Sequence, residues 1–183
     1  MKSPGKLPSI NRSPITLSFR NMVTEKDLIQ VRSITESCGL FYPVEIDVAV
    51  ELVQECLTKG PDSGYSFLFA DHMNDLIGYT CYGMIPMTAV RYDLYWIAVQ
   101  KAFHDQGIGS LLLAETERRI IQVKGKRIYV ETSSRKPYQA THGFYQARGY
   151  KKEAELADYY ASGDNKVIYS KPLSTWVFNG IIQ

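Results

Sequence analysis

The residues best placed to do chemistry gather around the segment YWIAVQKAFHDQGIGSLLLAE (95–115). An apolar run ends, a short polar loop follows, and Gly107 and Gly109 open an amphipathic stretch. A helix starting there exposes unpaired backbone N–H groups and the positive end of its dipole. Glycines let a phosphate approach those donors, because no Cβ obstructs it. A GxxxxGK[ST] loop is excluded: Ser110 and Leu111 follow Gly109, where Lys and then Ser or Thr are required. A GxGxxG dinucleotide loop fits poorly, since its third glycine position holds Leu112. Spacing alone leaves open a glycine pair that only eases a tight strand-to-helix turn.

A second signal is Glu131, between Val130 and Thr132 in the run RIYVETS (127–133). A carboxylate within an apolar strand needs a partner or a role. Metal chemistry is not expected. Cys38, Cys56 and Cys81 form no CxxC pair, and His72, His104 and His142 have no HxxxH or HExxH spacing. Sparse, odd cysteines also argue against a disulfide framework and for a reducing compartment.

The elements that must position these residues follow from pattern. With 183 residues, 45% of them hydrophobic, the chain has the size and apolar content of one domain with a sizeable core. A net charge of +2 gives no general case for nucleic-acid or membrane partners. No stretch resembles a signal peptide or reaches membrane-span length, so a cytoplasmic protein is expected. Residues 1–14 read as a flexible leader, 15–173 as the domain and 174–183 as a tail.

Alternation in ITLSFR (15–20) predicts a strand. Leu28, Val31 and Ile34 mark a helix, and Ile46, Val50, Val53 and Leu57 a second one, ended by Gly60-Pro61. YSFLFA (65–70) and LIGYTCYGMI (76–85) form a hairpin across DHMND, and RYDLYWIAV (91–99) is a further strand. On that strand Asp93, Tyr95, Ile97 and Val99 are expected on one face. Ile108, Leu112, Thr116, Ile120 and Val123 line a long helix, with Glu115 able to pair with Arg119. RIYVETS is a strand; Pro137 begins a helix carrying Ala140, Phe144 and Ala147, capped by Gly149. A final antiparallel pair turns at Ser162-Gly163-Asp164. The fold class is mixed α/β.

The loop His104-Asp105-Gln106-Gly107-Ile108-Gly109 is similar to the coenzyme-A loop of the GNAT acyltransferase superfamily, Gln/Arg-x-x-Gly-x-Gly/Ala, with His104 where Gln or Arg is usual. THGFYQARGY (141–150) resembles the family's second signature, a helix ending in Phe/Leu-Tyr and then Gly-Phe/Tyr. The resemblance spans residues 15–173 and implies a single-domain α/β fold with a mixed, mostly antiparallel, splayed sheet flanked by helices. It implies acetyl-CoA as cosubstrate, with no metal. The backbone of Ile97, Ala98 and Val99 would then meet the pantetheine arm. Amides of Gln106, Gly107, Ile108, Gly109 and Ser110 would hold the pyrophosphate. Tyr138 stands where many relatives have an Asn that touches the same arm, and His104 would cap or line the loop.

The resemblance places Tyr145 as the group that protonates the departing thiolate, and Asp93 where some relatives put a carboxylate base. A core tyrosine and a solvated strand-end aspartate are the plain alternatives. Glu131 is a second carboxylate candidate, suited to orienting the acceptor. An alkylamine with a pKa of ~10.4 is mostly protonated at neutral pH, so a proton acceptor is required. The reading is direct acetyl transfer to a small-molecule primary amine, such as an amino acid or polyamine. Alternatives are a protein lysine or N-terminus, or a non-catalytic coenzyme-A-binding module. An exposed edge strand would permit a homodimer.

Overall fold

A computed structural model describes residues 15–174; the leader 1–14 and the tail beyond Ser174 lie outside the described residues. The elements in chain order are β1 (Ser18–Arg20), α1 (Lys26–Cys38), α2 (Pro43–Lys59), β2 (Ser66–His72), β3 (Asp75–Met84), β4 (Arg91–Val99), α3 (Ile108–Gln122), β5 (Arg127–Ser133), α4 (Gln139–Gln146), β6 (Lys151–Ala161) and β7 (Asp164–Pro172). The strands make one sheet in the order β1-β2-β3-β4-β5-β7-β6. All neighbours are antiparallel except β4 and β5. The mixed, mostly antiparallel architecture is as expected.

The parallel pair is short. It runs from Arg91↔Arg127 to Leu94↔Val130 and stops. Past that rung β4 stays with β3 as far as Val99↔Gly78, and β5 stays with β7 as far as Ser133↔Lys166. Each strand is therefore held from its outer side, and the inner edges of Tyr95–Val99 and Glu131–Ser133 part. This fork organises everything that follows.

Two cores hold the fork in place. One face carries α3 and α4 over Leu68, Leu94, Leu112, Ile128, Val130 and Tyr145; the other carries α1 and α2 over Phe67, Phe69, Tyr79 and Ala98. Gly78 allows α3 to approach closely: a Cβ there would lie 3.0 Å from both Leu112 Cδ1 and Ala98 O. A buried hydrogen bond of 2.8 Å between Thr80 and Thr116 pins the same helix to β3. Asp27 is fully buried and receives Arg20 at 2.6 Å, while the same guanidinium reaches Asp71 at 2.9 Å. That network ties β1 to α1 and β2.

Several expectations shift. The strand expected over 15–20 shortens to Ser18–Arg20, because Ser18 opposes Asp71 and the partner chain turns just beyond, at Met73 and Asn74. Both turn residues have positive φ, the signature of a two-residue hairpin. In α2 the buried positions are Ile46, Ala49, Val53 and Cys56, so Val50 and Leu57 flank the buried stripe. Val123 lies past the end of α3 and is exposed, and Leu113 joins the buried stripe. Pro137 heads a 3₁₀ turn (Lys136–Tyr138) rather than α4, whose buried residue is Tyr145; Ala147 falls beyond its last turn.

The shift with most consequence is in β4. Cys81 opposes Trp96 and Tyr82 opposes Leu94, so Tyr95 is an extra residue, a bulge. The alternation resets there. Asp93 and Tyr95 do not share a face with Ile97 and Val99: the latter pack with Leu94 in the α3–α4 core, while Trp96 and Ala98 join the α1–α2 core.

Gly125 sets the turn between α3 and β5, its N–H bonded to Ile120 O at 2.8 Å. A Cβ there would sit 2.1 Å from Ile120 Cγ2 and 2.8 Å from Ile120 O. Gly125→Ala is expected to destabilise by about 1–3 kcal/mol through overpacking. Denaturant unfolding checks this, and an unchanged midpoint would contradict the packing.

Candidate active site

The fork is flanked by two cavities. The first, about 550 Å³, runs along Ile97, Ala98 and Val99 to the start of α3. Its far wall is Pro137, Ala140, Thr141 and Phe144, and Gly107, Ile108, Gly109 and Ser110 close one end. Gly107 has φ 80°, a left-handed conformation that favours glycine, and caps α3. The first helical bonds are donated by Ser110 N–H and Leu111 N–H, both to Gly107 O, at 3.0 and 3.1 Å. The amides of Ile108 and Gly109 precede them and belong to the unpaired N-terminal set. A Cβ on Gly109 would meet Phe144 at 3.4 Å, ordinary contact, so packing alone does not demand glycine there. What it keeps clear is the groove.

His104 does cap the loop: its Nε2 lies 2.7 Å from Val99 O, and Cys38 Sγ donates to the same oxygen at 3.4 Å. Gln106 turns away, its Nε2 donating to Ala102 O at 3.2 Å, and its side chain is not part of the groove wall. Arg148, which sequence reasoning missed, lies in this groove. Its guanidinium donates to Ser110 Oγ and to Phe144 O (2.8 Å), and stacks 3.8 Å above the Phe144 ring. Its Nε is buried without a partner. A cation fixed beside helix-start amides is suited to a phosphate group.

The second cavity, about 750 Å³, lies beside α2, walled by Val44, Glu45, Val48 and Leu52. Asp93, Glu131 and Tyr138 all line it, so Tyr138 belongs to this cavity and not to the groove. Carboxylates predominate: Glu45, Asp93, Glu131 and Asp164 against Arg135. Arg135 is already engaged, 3.2 Å from Asp164 and stacked at 4.2 Å on the Tyr42 ring. Glu131 pairs at 2.6 Å with Lys166, whose ammonium lies 4.0 Å over the Tyr159 ring. Rings of Tyr42, Tyr65, Tyr95, Trp96 and Tyr160 complete the wall.

Tyr160 arrives there through an irregular β6. Leu156 opposes Lys166 and Ala161 opposes Asp164, so residues 157–160 stand against Asn165 alone and loop outward. Phe41 borders both cavities, its ring 4.8 Å from that of Trp96.

Asp93 has the most informative electrostatics. Burial raises its carboxyl above the usual aspartate value, the negative charge of Glu131 raises it further, and Lys166 offsets part of this. Tyr138 is pushed up to about 12, chiefly by burial. Tyr145 lines neither cavity. It is 3% exposed, packed among the rings of Phe144, Tyr150 and Tyr169, and burial raises its phenol. The structure thus brings Asp93 and Glu131 together and keeps Tyr145 one layer behind, under Phe144. Among the described residues, no cluster of three or more potential metal ligands occurs, and no helix is long and apolar enough to cross a membrane.

A family model for the acetyltransferase (GNAT) domain matches residues 63–152. A GNAT-family protein from Desulfovibrio desulfuricans is 42% identical, with a TM-score of 0.85 over 87% of this chain and 100% of its own. The ribosomal-protein-S18-alanine N-acetyltransferase of Escherichia coli is 15% identical, with a TM-score of 0.70 over 91% of this chain and 100% of its own. An aminoglycoside 6'-N-acetyltransferase solved with coenzyme A is 18% identical, with a TM-score of 0.69 over 87% of this chain and 98% of its own. The last two likenesses concern the fold alone. No curated protein matches the chain.

Because the Glu131 charge helps hold Asp93 up, Glu131→Gln is expected to lower the Asp93 pKa. A carboxyl-carbon NMR titration reads this directly. A value that stays or rises would mean that the two carboxylates are not coupled.

Proposed function

The chain belongs to the GNAT family of acetyltransferases, and from this premise we propose that it moves the acetyl group of acetyl-CoA to the primary amine of a cationic small molecule. The observation that carries the reading is the fork itself. A phosphate-suited groove meets it along Ile97–Val99, and a carboxylate-lined cavity meets it at Asp93 and Glu131. The groove fits the donor. The β4 edge that has left β5 at Ile97 and Val99 would meet amide groups of a pantetheine arm, with Val99 O itself held by His104 and Cys38. The amides of Gly107, Ile108 and Gly109 together with Arg148 would take the pyrophosphate, the Ser110 amide being used within the helix.

In the reaction, the amine nitrogen attacks the thioester carbonyl carbon, a C–N bond forms, and the C–S bond breaks. The amine loses a proton to a carboxylate and the thiolate gains one. Asp93 is our choice of acceptor, because its raised pKa brings it closer to the proton it must hold. Glu131 stands at the first residue past the last β4–β5 rung and would orient the substrate ammonium before deprotonation. Tyr145 is the proposed acid on the strength of its place in the second signature. Burial keeps its phenol protonated, and because it lines neither cavity its hydroxyl would have to reach the thiolate past the Phe144 ring.

The acceptor class follows from charge. With Arg135 paired to Asp164 and Glu131 to Lys166, the charges left to face a substrate are the carboxylates of Asp93 and Glu45, which would repel a substrate carboxylate. An ammonium on an apolar stem matches both the carboxylates and the rings. Amines without a carboxylate are therefore favoured over amino acids. Three free cysteines agree with a cytoplasmic setting, though they do not specify one.

The test is calorimetric titration with acetyl-CoA, followed by thiol release with cadaverine, pentylamine and aminovalerate. Binding of acetyl-CoA and turnover of the first two above aminovalerate are expected. Turnover only with peptide N-termini or lysines would replace the small-molecule reading, and binding without any transfer would favour a sensor. Asp93→Asn should cut kcat by about 10²–10⁴-fold with acetyl-CoA affinity retained. In the native enzyme, activity should rise with pH through the elevated Asp93 pKa, since the base works deprotonated. Tyr145→Phe should lower kcat with acetyl-CoA binding near normal; undiminished turnover would leave Tyr145 a purely structural ring.

A further inference from the structure

Among the described residues, two buried side-chain polar atoms have no hydrogen-bond partner: Arg148 Nε and Thr132 Oγ1. The first belongs to a guanidinium already set against the donor loop. The second is unexplained by packing. Thr132 is 6% exposed, and a buried hydroxyl that forms no bond is destabilising relative to the methyl of an isosteric Val.

Its position is specific. Thr132 lies two residues past Val130, the last β5 residue paired with β4; with Tyr95 an extra residue in β4, continuing past the fork sets it across the gap from Ile97. It continues the row of Ile128 and Val130, which face the core that holds Tyr145. It also lines the cavity that holds Asp93 and Glu131. Thr132 thus stands at the fork, between the groove along Ile97–Val99 and the two carboxylates.

We propose that Thr132 Oγ1 donates a hydrogen bond to the carbonyl oxygen of the acetyl thioester. The inference rests on the acetyl-transfer reading above. As the amine attacks, negative charge gathers on that oxygen in a site where Asp93 and Glu131 already repel it. A neutral hydroxyl without a protein partner is suited to receive the charge, and its proton stays on the threonine throughout.

Thr132→Val separates this role from a structural one, because the two readings move stability and function differently. Removing a merely orphaned hydroxyl should raise the melting temperature, by about 2–4 °C for a chain of this size. If the hydroxyl serves the thioester, the same variant should also lose about a hundredfold in kcat, as for loss of one oxyanion donor. Calorimetry adds a readout independent of turnover. Coenzyme A lacks the acetyl carbonyl, so the ratio of acetyl-CoA to coenzyme-A affinity should fall about fivefold in Thr132→Val. Thr132→Ser keeps the hydroxyl and should recover most of the loss, which also guards against a poorly folded Val variant. A stabilised Thr132→Val protein with undiminished kcat and an unchanged affinity ratio would overturn the proposal while leaving the acetyl-transfer reading intact. A native protein that binds neither acetyl-CoA nor coenzyme A would overturn both.

Discussion

The structure depends on one act of non-pairing. Backbone N–H and C=O groups inside a sheet normally have partners, and leaving them unmet is costly. Yet after Leu94↔Val130 the β4 and β5 edges separate, each still bonded on its outer side. The separation is held open by rigid surroundings. α3 is clamped to β3 by the Thr80–Thr116 bond and by the close approach at Gly78, and β5 is clamped to the β6–β7 hairpin. The site is the region where two well-paired strands are kept from completing their sheet. A ligand with amide groups of its own can supply the missing partners.

Charge is distributed across this gap with a clear division. The groove side offers helix-start amides and the Arg148 guanidinium, both suited to anions. The opposite side offers Asp93 and Glu131 among aromatic rings, suited to a cation. Neither side would bind the other's ligand well. The two carboxylates also act on one another: Glu131 helps lift Asp93, while Lys166 shares Glu131 and moderates the effect.

Much of this was legible in the sequence. The strands RYDLYWIAV and RIYVETS match β4 and β5 residue for residue, since β-branched and aromatic runs between turn signals leave little choice. The glycine loop was legible because Gly107 needs a left-handed backbone and Gly109 keeps the groove clear. Glu131 announced itself as a charge in an apolar run. The Tyr95 bulge did not, because an extra residue in one strand is a property of its pairing with another. That single residue moved Asp93 to the opposite face from Ile97 and Val99. Arg148 and Thr132 were missed for a related reason: one basic residue after a helix, and one threonine in a strand, mean nothing until the chain beside them is known.

The Phe41 ring borders both cavities, one running to the start of α3 and the other walled by α2. Traffic through the enzyme is shaped by that. With the donor in the groove and the acceptor in the second cavity, as proposed, the two would not queue for one doorway, and each could enter while the other is bound. Spent coenzyme and acetylated product would then leave by separate routes, with no covalent relay between them.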